Sequence, residues 1–340
     1  MQNDYRKGLK RYHTALLMIL VLLACGFLIS LFTGRYDVKR EEVILFLRGY
    51  ELPELPYRVI CNLRIPRTIM AMLTGGALAL SGGIYQGIFN NQMASPDLLG
   101  VSTGASFGAC VGILLHLPFA GVVGLAFVAG LLTVTLTLLI GKWIGKEADF
   151  SLVLAGIAAG GLMSSAIGLT KYLADDERKL AEITYWLMGS FAGTTIKEVF
   201  FIAPLLLICF AVSLLVARQV DAISFGKKEA KTLGVSYEKM LLLLIFMATL
   251  MTATCVSVNG TISWVGLTVP NLVRMVFGNQ HRKVLMLSIL LGALFLLLAD
   301  MMARSLSPDE IPLSVITGFV GTPVFIPAIM KTRSGEYEKT

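Results

Sequence analysis

Long blocks of apolar residues, separated by short polar gaps, run along this chain from Ala15 to Met330. Blocks such as Ala15–Leu31 and Leu285–Ala299 lack the period-two alternation of a half-buried strand. A hydrocarbon core about 30 Å thick needs about 20 apolar helical residues to cross it. The pattern therefore predicts a polytopic membrane protein built from α-helices, because the strands of a membrane barrel would alternate apolar and polar positions.

The apolar blocks predict ten membrane-spanning helices. Their predicted limits are residues 14–33, 68–89, 97–117, 119–141, 151–173, 199–217, 240–259, 261–277, 284–304 and 312–330. The span 261–277 is short and contains Pro270, so we expect a broken or partly re-entrant helix there. The loops are too short to hold a soluble domain of ordinary size, so we expect residues 1–340 to form one transmembrane domain.

The composition agrees with a membrane protein. Hydrophobic residues make up 56% of the chain and charged residues only 15%, whereas a soluble domain has about 25% charged residues. The basic N-terminus resembles the start of a signal peptide, but the apolar run after it is too long for one, so we expect a retained first helix. The five cysteines are scattered, which favours packing roles over disulfides or a metal site.

Basic residues predict the orientation of the chain in the membrane. With ten spans, both termini lie on one side, and the loops of that side have the larger excess of Lys and Arg. These basic residues include Arg6, Lys10, Lys142, Arg218, Lys228, Arg282 and Lys331. The positive-inside rule places both termini in the cytoplasm, and the net charge of +7 reflects this orientation rather than nucleic-acid binding.

The residues show no sign of an energy-converting or catalytic site. Gly141-Lys142 and Gly226-Lys227 lack the upstream glycine and the following Ser or Thr of a phosphate-binding loop. The conspicuous intramembrane acid, Asp300, lies one helical turn before Arg304, which predicts a local ion pair rather than a proton relay. We therefore expect a passage that is not an enzyme and that is either passive or driven by another subunit.

The longest polar stretch between two spans on the cytoplasmic side is residues 221–235. Its apolar positions are Ile223, Ala230 and Leu233. With Gly226 and Gly234 as boundaries, the pattern predicts a short amphipathic helix. Such a helix either lies at the lipid headgroups or docks into a cytoplasmic motor, and the pattern alone leaves both interpretations open.

A series of motifs in fixed order resembles a known family. They are Arg64-Ile65-Pro66-Arg67, Gly76–Gly82, Pro96–Ala105, Tyr185–Phe191, Gly260–Leu267, Leu298–Asp300 and Ile311–Phe325. Together with residues 221–235, they resemble the FecCD/BtuC-like permease subunits of ABC importers for iron–siderophore complexes, haem and vitamin B12. The resemblance covers about residues 60–330, with Asn271, Trp264 and Gln92 in place of the usual His, Phe and Pro.

The resemblance implies an all-α bundle of about ten transmembrane helices, the type II ABC importer fold, with an inverted repeat and alternating access. It implies that this permease pairs with a second copy or with a homologous permease. ABC ATPase subunits would bind on the cytoplasmic side and use the ATP, and an extracytoplasmic substrate-binding protein would deliver the substrate. The other expected partner is membrane lipid, and no cofactor is expected on this chain.

The resemblance also implies roles for three groups of residues. The ATPase-coupling residues would be Gly226, Glu229, Ala230, Leu233 and Gly234. The binding-protein docking residues would be Arg64, Arg67 and Arg304. Their alternative roles are interfacial anchoring and, for Arg304, a structural pair with Asp300. The candidate gate loop contains Lys146, Ala148 and Asp149.

The substrate is the least specified part of the prediction. An iron(III)–siderophore is the commonest substrate in the resembled family, and haem and cobalamin remain alternatives. An ion-coupled secondary transporter is the alternative of a different class, but the scarcity of intramembrane acids disfavours it.

Overall fold

The computed structural model describes residues 2–34, 36, 38–144, 148–174, 176–307 and 309–337, and all regular elements in these ranges are helical. The first half contains α1 (Gln2–Phe32), α2 (Arg40–Leu47), α3 (Glu54–Arg58), a π-helical segment (Val59–Arg64), α4 (Ile65–Ile88), a 3₁₀ turn (Pro96–Leu99), α5 (Val101–Leu114), α6 (Phe119–Ile144) and α7 (Ala148–Tyr172). The second half contains α8 (Glu177–Leu187), α9 (Ile196–Leu215), α10 (Ala217–Ser224), α11 (Lys227–Thr232), α12 (Tyr237–Asn259), α13 (Val265–Phe277), α14 (His281–Ala303) and α15 (Leu313–Tyr337).

The membrane-spanning helices confirm the predicted all-α fold. In the described residues, seven helices are long and apolar enough to cross a membrane, and three shorter apolar helices accompany them. These helices occupy the ten predicted positions, although their ends differ by several residues. The largest difference at a helix start is at α1, which begins at Gln2 rather than at residue 14.

The span predicted at residues 261–277 is not broken at Pro270. The chain instead leaves helical geometry in the segment before α13. The backbone φ angles of Gly260 and Trp264 are +71° and +72°, which takes the chain out of right-handed helical geometry. Helix α13 begins only at Val265 and continues through Pro270. The span is therefore shortened at its N-terminal end rather than interrupted in its middle.

The centre of the bundle is built on close backbone contacts of α4. A Cβ atom at Gly75 would lie 2.1 Å from the carbonyl oxygen of Gly292 in α14. A Cβ atom at Gly82 would lie 1.8 Å from the carbonyl oxygen of Gly266 in α13. The small residues of α4 thus serve close helix packing, as small residues do in membrane bundles, and place α13 and α14 directly against it.

Replacing Gly75 by Ala should lower the free energy of unfolding by about 1–3 kcal/mol, because the new methyl group would overlap rigid backbone of α14. The matched control is Gly161→Ala in α7, where a new Cβ would have no neighbour within 4 Å. Thermal unfolding of both variants in one detergent measures the difference. Equal melting temperatures for the two variants would contradict this account of the packing.

Candidate functional site

The three predicted docking arginines lie together at the end of the bundle where α1 ends and α4 begins, which we term the arginine end. Arg64 closes the π-helical segment, Arg67 lies in the first turn of α4, and Arg304 directly follows α14. All three line one cavity of about 380 Å³. The fold therefore collects into one place three side chains that are distant in sequence.

The carboxylate of Asp300 joins two of these arginines. Arg67 donates from Nε to Asp300 Oδ1 at 2.8 Å, and its Nη2 lies 2.7 Å from the same oxygen. Arg304 Nε lies 3.3 Å from Asp300 Oδ2, which confirms the ion pair predicted from their i, i+4 spacing. Asp300 is fully buried, so its carboxylate holds the start of α4 against the end of α14.

The three guanidinium groups also form hydrogen bonds with the end of α1, the residues after it and the segment before α15. Arg67 donates to Glu310, and Arg64 donates to the backbone carbonyls of Leu31 and Tyr36. Arg304 donates to the carbonyl of Thr33 at 3.0 Å and to the hydroxyl of Ser30. Only 4% of the Arg64 surface and 5% of the Arg304 surface are exposed. Both side chains thus turn into the protein rather than toward a lipid interface, and the docking role of all three arginines stays a prediction.

Among the described residues, the lining of this cavity contains three arginines and one acid, Glu310. Three guanidinium groups face two carboxylates there, those of Asp300 and Glu310. Among the described residues, the hydrogen bonds of Arg64 go to uncharged backbone carbonyls. Guanidinium groups bind carboxylates through planar, paired hydrogen bonds, so the cavity offers chemistry suited to an incoming acidic side chain.

A second cavity of about 500 Å³ shares Glu310 with the first. It lies between α8, the end of α12 and the segment before α15. Its walls include Phe119, Glu182, Tyr185, Trp186 and Pro312. Three of its twelve lining residues are aromatic, so the cavity can contact a bulky organic molecule through apolar surface.

At the opposite end of the bundle, α11 forms the predicted short helix between two glycines. Gly226, with φ +100°, precedes the helix, and Gly234, with φ +75°, follows it. Ala230 is fully buried, while Glu229 is exposed. Leu233 departs from the predicted apolar set, because 63% of its surface is exposed rather than packed beside Ala230. The side chain of Leu233 is thus available for contact with another molecule.

Helix α10, which leads into α11, is tied to the start of α14 by Asp221 and His281. Asp221 Oδ1 accepts the backbone N–H of His281 at 2.9 Å and lies 2.7 Å from the His281 ring Nδ1. Partial burial acts to raise the pKa of Asp221, but the His281 hydrogen bonds and the nearby Arg274 charge leave it below its usual value. His281 looks isolated in the sequence, and its partner appears only in the folded chain.

The candidate gate loop lies only partly within the described residues. Lys146 lies outside the described residues, and Ala148 and Asp149 lie in the first turn of α7. Their gating role stays a prediction.

Replacing Asp300 by Asn should lower the free energy of unfolding by about 3–5 kcal/mol, because it leaves the buried Arg304 guanidinium without its counter-charge and leaves Arg67 with Glu310 alone. The control is Glu54→Gln, which removes the acid of an ion pair with Arg58 whose side chains are 76% and 66% exposed. That change should cost less than about 1 kcal/mol. Unfolding in rising mole fractions of dodecyl sulfate, followed by circular dichroism, compares them, and equal losses would refute the role of Asp300.

Comparison with known proteins finds similarity along nearly the whole chain. The model of the FecCD transport family matches residues 20–331. The chain is 34% identical to the molybdate import system permease MolB of Haemophilus influenzae, over 95% of this chain and 97% of that protein. It is 36% identical to the hemin transport system permease HmuU of Yersinia pestis, over 94% of this chain and 95% of that protein.

A solved structure gives the same result in three dimensions. It is described as an inward-facing conformation of a metal-chelate type ABC transporter, and it matches with a TM-score of 0.85 and 34% identity. The match covers 93% of this chain and 98% of that chain.

Proposed function

This chain belongs to the FecCD transport family as the permease subunit of an ABC importer in the cell membrane, and on that premise we propose that it carries an iron(III)–siderophore. Relatives of similar identity are named for molybdate and for hemin, so membership of the family leaves the substrate open. The observation that supports a chelate is the wide cavity lined by Phe119, Tyr185 and Trp186. These aromatic side chains offer apolar contact to a bulky organic chelate. The Glu182 carboxylate in the same lining would repel a small oxyanion such as molybdate.

The proposed substrate is tested by uptake into proteoliposomes that contain the permease with its ATPase subunits and binding protein. We expect ATP-dependent uptake of a radioactive iron(III)–siderophore that persists when ionophores collapse the ion gradients. Unlabelled haem, cobalamin and molybdate serve as competitors. Uptake of haem, cobalamin or molybdate without uptake of the siderophore would refute the proposed substrate, and uptake that needs a gradient but no ATP would refute ATP-driven transport.

We also propose that α11 is the contact with the ATPase subunit, which hydrolyses the ATP. Phe225 and Leu233 flank α11 and expose 68% and 63% of their surfaces. Glu229 is exposed on the helix itself, and buried Ala230 anchors the helix to the bundle. Exposed apolar side chains next to charges are typical of a docking surface with a dry centre and a polar rim.

The proposed route from α11 into the bundle passes through α10. Asp221 in α10 is hydrogen-bonded to His281 at the start of α14, and α14 packs directly on α4 through Gly292. A displacement of α11 would therefore move α14 and the helix beside it. This linkage supports alternating access driven from the α11 end of the bundle.

The proposed orientation places the α11 end in the cytoplasm together with both chain termini. The described part of that end carries Lys227, Lys228 and Lys231 in α11 itself, in agreement with the positive-inside rule. The arginine end then faces outward, where the guanidinium groups of Arg64, Arg67 and Arg304 would receive carboxylates of a substrate-binding protein. We further propose that two permeases, identical or homologous, pair to enclose the pathway.

Replacing Leu233 by Asp should reduce the amount of ATPase subunit that copurifies with the permease by about tenfold, because a carboxylate would be buried in the apolar part of the contact. The matched control is Ser236→Asp, which adds the same charge three residues later at the N-cap of α12, where Asp is favoured. Quantitative mass spectrometry of the purified complexes measures the ratio. Equal recovery with both variants would contradict docking through α11.

A further inference from the structure

A groove of about 510 Å³ opens on the surface of the bundle between α1, α13 and α14. Its walls are apolar over most of their length and include Ala15, Met18, Leu22, Val276, Leu291 and Leu294. Arg11 lines the groove at the N-terminal end of α1 and is exposed there. The groove therefore has an apolar body and one cationic end.

The dimensions of the groove match one leaflet of a bilayer. The helical rise from Arg11 to Leu22 is about 16 Å, which is about half of a hydrocarbon core of about 30 Å. An acyl chain that starts at the headgroup level beside Arg11 would thus follow α1 to the middle of the membrane.

Among the described residues that line the groove, Arg11 is charged and none is acidic. Residues 8–22 and 272–294, which contain all the lining side chains, include five basic residues and neither Asp nor Glu. The basic residues are Lys10, Arg11, Arg274, Arg282 and Lys283. An anionic headgroup at this end would therefore meet the Arg11 guanidinium and no carboxylate from the described lining residues.

One of these basic residues, Arg11, lies against a pair of aromatic side chains. The Arg11 guanidinium lies 5.9 Å from the centre of the Phe277 ring, and Tyr12 meets the same ring edge to face at 6.2 Å. Arg282 is the second residue of α14, and later turns of α14 line the same groove. Among the described residues, Arg11 makes no ion pair.

We propose that this groove binds one anionic phospholipid, with an acyl chain along α1 and the phosphate beside Arg11 and Arg282. The assignment to the cytoplasmic leaflet rests on the orientation proposed above. Basic pockets between helices at this level of the membrane bind anionic headgroups. The lipid fills the space between α1 and α13 and so completes the attachment of α1 to the bundle.

Native mass spectrometry of the full chain in detergent tests the proposal with defined lipids. Phosphatidylglycerol should bind about tenfold more tightly than phosphatidylethanolamine of the same acyl chains, because only the former has a net negative charge. Inorganic phosphate at the same phosphate concentration should not displace the lipid. Equal affinity for the two lipids would overturn the proposal, and so would complete displacement by inorganic phosphate.

Two kinds of variant distinguish the contribution of the basic side chains to lipid affinity from that of the apolar groove. R11Q/R282Q should lose about tenfold in phosphatidylglycerol affinity, whereas the control K142Q/R218Q, with the same net charge, should keep the wild-type affinity. Ala15→Phe should weaken binding without any change of charge, because the ring would occupy the groove. Equal losses in the two charge variants would overturn the proposal even if the Phe variant fails to fold.

The lipid assay is independent of transport. It uses the permease without ATPase, ATP or substrate, so a negative result leaves the proposed substrate and the α11 contact unaffected. Failure of the uptake experiment would likewise leave the measured lipid affinities unchanged.

Discussion

The structure depends on the burial of one carboxylate, that of Asp300, between Arg67 and Arg304. A charge inside a membrane protein is costly unless it is paired, so this acid fixes which helices meet around it. Its ion pair with Arg67 holds the start of α4 against the end of α14. Its other partner, Arg304, donates a hydrogen bond to the carbonyl of Thr33, just after the end of α1. The two cavities of the arginine end lie next to this ion-pair cluster, because Glu310 binds Arg67 and lines both cavities.

Helix α14 connects the arginine end with the end that carries α11. Asp300 lies in its last turn, and His281, the partner of Asp221 in α10, is its first residue. Between them, Gly292 lies in backbone contact with α4. One rigid helix thus joins the proposed ATPase contact to the proposed docking surface, which is the arrangement an importer needs if ATP on one side is to change access on the other.

The sequence was sufficient for the features that depend on local pattern. The ten apolar helices, the helix between Gly226 and Gly234 and the Asp300–Arg304 pair all follow from periodicity, length or i, i+4 spacing. The contacts of Arg67 with Asp300 and of Asp221 with His281 did not follow, because they join residues 233 and 60 positions apart. The exposure of Leu233 was missed for a related reason: a six-residue helix has too few positions for its pattern to say which side is covered.

The central claim is that events at α11 reach the arginine end through α14. The most direct test places a spin label at Ala192, an exposed residue that lines both cavities of the arginine end. It measures the distance between the labels of the two permeases in the assembled complex, with and without ATP. The account predicts that ATP changes this distance in the wild-type complex, and that Asp221→Asn reduces the change while the ATPase stays bound. A distance that does not respond to ATP in the wild-type complex, or an unchanged response in the variant, would contradict it.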